Sequence, residues 1–99
     1  MITRAEARRL IRDAGLRATR GRVEMLVYLA SRPAPVTHND TIAAFEGADR
    51  VSLWRNLNDL AEEGLIVRAD LGDHLWRFWY GSADRFDLLS GLRNVQIAC

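Results

Sequence analysis

The 99-residue sequence predicts a mainly α fold that ends in a small β-hairpin. Three observations carry this expectation. Apolar residues recur at helical spacing as far as residue 64. Residues able to cap a helix stand just ahead of those recurrences. Past Gly64 the period drops to two, in two short runs separated by a glycine-containing turn.

Taken in order, Thr3 and Glu6 have capping-box spacing and open a first helix over 4–14. Ala7, Leu10, Ile11 and Ala14 form its inner face, and Gly15 occupies the position that favours a helix stop. Thr19 caps a second helix, with Val23, Leu26, Val27 and Ala30 as its apolar stripe. The two prolines of "SRPAPVT" then break the chain. Thr37 and Asp40 cap a short third helix that faces inward through Ile42, Ala43 and Phe45. "EGAD" is a turn, and Asp49 caps a fourth helix that ends at Gly64. "LIVRAD" and "HLWRFWY", joined through "LGD", read as two strands. Trp76 and Phe78 alternate there with Arg77 and Trp79, as in a ribbon with one covered face. "GSADR" reads as a linker, "FDLLSGL" as a short helix, and "VQIAC" as the opening of a strand with no partner in this chain. Neither an internal repeat nor a low-complexity segment is present.

Composition narrows the class. At 48% hydrophobic and 27% charged the chain is ordinary globular protein, with room for one domain and one modest core. No stretch approaches the roughly 20 apolar residues that cross a bilayer. "MITRAEARRL" lacks the apolar centre of a secretory signal. The single cysteine, Cys99, excludes an internal disulfide framework and a Cys-rich zinc site within the chain. A cytoplasmic protein is expected. Phosphate-binding loops, nucleophile elbows and Cys–His pairs are all missing, which argues against an enzyme. Charge is uneven. Residues 1–22 hold seven arginines against two acids, whereas the remainder holds seven against eleven. That asymmetry suits a face for a polyanion, although a solvated helix surface would give the same pattern.

Four short helices followed by a two-stranded wing describe a winged helix-turn-helix, in which the helix at 50–63 is the reader. Leu53, Leu57 and Leu60 fall on one arc and pack inward. Trp54 and Arg55 lie roughly 100° and 200° from Leu53 and, with Asn58, project on the other side. Arginine can donate bidentately to guanine, and an indole can meet thymine methyls or donate to a phosphate. Ser52, near the helix start, suits a further phosphate contact. Two plainer readings stay open: Trp54 covering a neighbouring side chain, and Arg55 as a surface charge.

Two stretches carry a family resemblance. "GLRATRGRVEMLVYLA" from Gly15 resembles the opening pattern G-L-[RK]-x-T-x-x-R of the ferric uptake regulator (Fur) family, with Gly15, Leu16, Arg17, Thr19 and Arg22 matching. "RVSLWRNLNDLAEEGLIVR" is similar to the family's T-V-Y-R-x-L-x-x-L-x-x-x-G segment. There Ser52, Leu53 and Trp54 stand for threonine, valine and tyrosine, while Arg55, Leu57, Leu60 and Gly64 match directly. The resemblance spans residues 5 to 80. It implies that Trp54 and Arg55 read the major groove and that Arg17 reaches the minor groove, where A·T-rich sequence attracts arginine. It also implies departures. "GSADRFD" replaces the family's histidine-rich run, and Trp79 stands about where an acidic metal ligand is expected. His38 and His74 have no partner at ligand spacing and read as surface residues. No cofactor is expected in this chain; zinc or another regulatory metal is left to a longer parent protein. "NVQIAC" resembles the first strand of the family's dimerisation domain, so residues 1–81 are expected as the DNA-binding domain. Residues 82–99 are then a linker and the start of a dimerisation domain absent from this chain, which is either a fragment of a longer regulator, the favoured reading, or a natural protein that has lost its sensor.

The leading expectation is a sequence-specific regulator of repressor type. It would bind double-stranded DNA as a homodimer on an A·T-rich palindrome, with two reader helices about 34 Å apart. Its contact residues would be Arg17, Thr19, Arg20, Arg22, Ser52, Trp54, Arg55, Asn58, Arg68 and Arg77, although Asp70 and Asp73 beside the wing turn oppose close approach there. The alternative is a protein-interaction module whose patch is Trp54, Trp76, Phe78, Trp79 and Tyr80.

Overall fold

The computed structural model describes residues 1–86 and the strand at 96–98. The elements run α1 (Arg4–Asp13), α2 (Arg20–Ser31), β1 (Val36–Thr37), α3 (His38–Ala44), α4 (Arg50–Glu62), β2 (Val67–Asp70), β3 (Trp76–Trp79) and β4 (Gln96–Ala98). Each helix starts where a cap was legible. The Thr3 hydroxyl accepts from the Glu6 amide at 3.1 Å, and Thr19 from Arg22 at 3.3 Å. Thr37 and Asp40 form a full reciprocal capping box, and Asp49 accepts from the Ser52 amide at 3.0 Å. Such caps contribute about 1 kcal/mol apiece. α1 and α4 end alike. Gly15 and Gly64 take left-handed φ values of 87° and 75°, and the next amides, Leu16 and Leu65, reach back to the Ile11 and Leu60 carbonyls.

The core lies between the helices and one face of the sheet. Leu53, Leu57 and Leu60 of α4 pack with Ala7, Ile11, Val23, Met25, Leu26 and Leu29 of α1 and α2, closed by Val36, Ile66 and Phe78. Each large side chain buried in this way contributes about 1.5–3 kcal/mol. α2 buries a wider arc than expected: Met25 and Leu29 join Val23, Leu26 and Ala30, whereas Val27 is half-buried. α3 turns differently too. Thr41 is its buried residue, its hydroxyl satisfied by the His38 carbonyl at 2.6 Å, while Ala43 is exposed and Ile42 and Phe45 are half-buried. A seven-residue helix has too few positions for periodicity to fix its rotation.

The sheet corrects the hairpin reading most. The expected two-stranded wing, β2 and β3, forms the centre of a four-stranded antiparallel sheet in the order β1-β3-β2-β4. Val36 pairs with Phe78 on one edge. On the other, residues 96–98 pair with β2, so the strand expected to lack a partner has one in its own chain. The ribbon is covered on both faces. Phe78 enters the main core, and Trp79, one residue on and hence on the opposite face, closes a second cluster with Val67, Ala69, Leu71, Ala83 and Phe86. Residues 82–86, expected as linker, turn back on that face: the Trp79 indole donates to the Ser82 carbonyl at 2.8 Å, and the Phe86 ring meets Trp79 edge-on. Of the expected helix over "FDLLSGL", everything beyond Phe86 lies outside the described residues, as does Cys99.

Candidate nucleic-acid interface

α3 and α4 form the helix-turn-helix, and α4 presents the face that its leucine stripe leaves over. Asp49 caps it with one carboxylate oxygen that accepts from both the amide and the hydroxyl of Ser52, each at 3.0 Å. Ser52 is exposed, yet its donors at this helix start already serve a carboxylate. Trp54 is 36% exposed. Its ring centroid lies 5.2 Å from that of His38 and 5.9 Å from Phe78, the latter edge-on at 89°. The covering role therefore holds for one side of the ring, which braces the base of the wing, while the other side stays open. Arg55 is exposed and has no ion pair among the described residues. Val51, one turn earlier on the same face, is 53% exposed and adds an apolar surface to that face. A lone valine at the flank of a leucine stripe carries no sequence signal of its own.

Asn58 turns toward the wing instead of outward. Its amide donates to the Trp54 carbonyl at 2.8 Å, and its oxygen accepts from Arg68. The Arg68 guanidinium in turn lies 4.8 Å over the Trp76 ring. Arg77 is tied to Asp73, with nitrogens at 2.9 and 3.1 Å from its carboxylate. That pairing, helped by the Leu75 amide, holds the Asp73 carboxyl below its ordinary value. Asp70 closes the turn by accepting from the Gly72 and His74 amides at 2.9 and 3.0 Å. The two acids that flank the wing tip are thus turn-forming groups, and the wing arginines have internal partners.

The loop before α2 and the first turn of that helix treat their arginines differently. Arg17 and Arg20 are exposed with no ion pair among the described residues. Thr19 uses its hydroxyl as the α2 cap. Arg22 bonds the Arg17 carbonyl at 2.8 Å and Asp59 of α4 at 3.0 Å. His38 is more than a surface residue: its Nε2 lies 2.9 Å from the Arg50 carbonyl and joins the starts of α3 and α4. His74 is exposed at the wing turn and, with His38 and Trp54, lines a cleft of about 250 Å³ between the wing and α4. Among the described residues no three His, Cys, Asp or Glu side chains gather as a metal set, and no helix is long and apolar enough to cross a membrane.

The sequence matches no protein-family model and no curated relative. Solved structures do match. The ferric uptake regulator from Pseudomonas aeruginosa, determined with manganese, superposes with a TM-score of 0.70 at 24% identity over 80% of this chain and 63% of that one. The Vibrio cholerae ferric uptake regulator, described for a rearrangement of its DNA-binding domains, gives 0.64 at 20% identity over 77% and 62%. This chain therefore spans less than two thirds of either neighbour. Identities this low speak for architecture, and the chain is a winged helix with the fold found in the ferric uptake regulators.

Proposed function

We propose that the chain is the DNA-binding part of a Fur-like transcriptional regulator, reading the major groove with α4. The observation that carries this is the division of that helix. It buries Leu53, Leu57 and Leu60 while leaving a half-open Trp54 beside an Arg55 that has no partner among the described residues. Arg55 donates to a guanine edge, Trp54 and Val51 supply apolar contact to thymine methyls, and Arg17 enters an adjacent A·T-rich minor groove. Arg20 meets the backbone. Residues 1–86, with the strand at 96–98 on the same sheet, act as the reading domain of a longer cytoplasmic repressor that carries a dimerisation domain. That domain supplies the homodimer for a palindromic operator and any regulatory metal. The protein-interaction alternative is weakened because Phe78 and Trp79, two of its five aromatics, are buried.

A salt titration of binding to duplex DNA tests this function. Binding through arginines weakens linearly on a log–log plot as counterions are released. Affinity for any partner that is indifferent to salt, with no binding to duplexes at low salt, would favour the protein-interaction reading.

A further inference from the structure

Arg22 was expected among the phosphate contacts, but its surroundings give it other work. Its side chain is 20% exposed, and its two terminal nitrogens each serve an internal acceptor: one the Arg17 carbonyl, the other the Asp59 carboxylate of α4. Its Nε is buried without a partner among the described residues, and its amide completes the Thr19 cap. The Arg17 carbonyl also accepts from the Thr19 amide at 2.9 Å, so the residue carrying the minor-groove arginine is held from two directions. The joint itself is tight. A Cβ at Gly21 would stand 2.7 Å from the Asn56 amide nitrogen of α4.

We propose that Arg22 and Asp59 form a positioning pair that fixes the Arg17 loop on the reader helix and so sets the offset between minor-groove and major-groove contacts. The inference rests on the DNA-reading function proposed above. A planar guanidinium suits the task because it reaches two acceptors in fixed directions, which an ammonium does not. Asp59 gives the proposal a distinctive sign. A bystander carboxylate near DNA repels the backbone, so neutralising it would strengthen binding. A positioning carboxylate gives the opposite result.

The test uses the full chain and two duplexes that share the core preferred in a random-pool selection, one flanked by A·T runs and one by G·C runs. Affinity across a salt series and thermal melting are measured for wild type, Asp59→Asn, Arg22→Lys, Arg17→Ala and Arg17→Ala/Asp59→Asn. Asp59→Asn should weaken binding to the A·T-flanked duplex roughly tenfold and erase the flank preference. Arg22→Lys should keep the salt slope but lose that preference, and the double variant should bind no worse than Arg17→Ala alone. Tighter or unchanged binding by Asp59→Asn, with flank preference intact, would overturn the proposal. So would an Asp59→Asn loss that persists undiminished without Arg17, or a flank preference that survives in Arg22→Lys. A folded wild type with no preference for any duplex would remove the DNA-reading function as well, which separates the two failures.

Discussion

The loop-and-reader region and the wing contain arginines in similar sequence settings, yet they treat them oppositely. Arg17, Arg20 and Arg55 are exposed with no ion pair among the described residues. On the wing, Arg68 joins Asn58 and lies over Trp76, and Arg77 is held by Asp73. Both regions add positive charge to the sequence, but the first leaves far more of it available to a polyanion. The wing's cations and acids serve its own turn and its attachment to α4. It follows that affinity for DNA should depend on the loop and reader helix, while the wing braces Trp54 and shapes the cleft beside it.

The strongest way to break this comparison uses two tryptophans. Trp79→Ala, in a site that is 1% exposed, should cost about 3–5 kcal/mol in denaturant unfolding. Trp54→Ala should cost roughly 1 kcal/mol, because one side of that ring is already open. Equal costs would mean that the wing is not the better-buried region. Leu57→Ala should cost about 2–5 kcal/mol and lower Tm, since Leu57 is fully buried under α4. Arg55→Ala should leave Tm in place and cost about 1–3 kcal/mol of binding to the preferred duplex, with relaxed preference at one base position. Arg77→Ala should scarcely change the salt slope of binding; a drop of about one would place that arginine on a phosphate.

The smallest effect is in acid. Because the Asp73 carboxyl is held below its ordinary 3.8 by Arg77, its contribution to the folded wing is complete above that value. It is lost as pH falls through the lowered value. NMR signals of Asp73 and Arg77 should therefore hold steady between about pH 5 and 8 and move only below the ordinary carboxylate range. Movement near neutrality would contradict the pairing.

Much of the helical half was legible because its signals are local. Thr3, Thr19, Thr37 and Asp49 mark helix starts through bonds three residues long, and Gly15 and Gly64 mark stops through backbone conformation. The sheet was less legible because its partners are distant in sequence. Val36 pairs with Phe78, and residues 96–98 find β2, across separations that no periodicity encodes. The burial of Trp79 did leave a trace, since adjacent apolar residues at 78 and 79 put one on each face of a strand. At the candidate site, the exposure of Trp54 and Arg55 followed from their angle to the leucine stripe. The internal ties of Arg22, Asn58, Arg68 and Arg77 did not, because a partner such as Asp59 lies 37 residues from Arg22.

Whether α4 reads DNA through its open face is decided by selection from a random duplex pool with wild type beside Trp54→Ala/Arg55→Ala. Wild type should enrich one A·T-rich half-site, and the double variant, still folded, should enrich none. Enrichment of the same sequence by both proteins would contradict that role of α4 and move the reading surface elsewhere on the molecule.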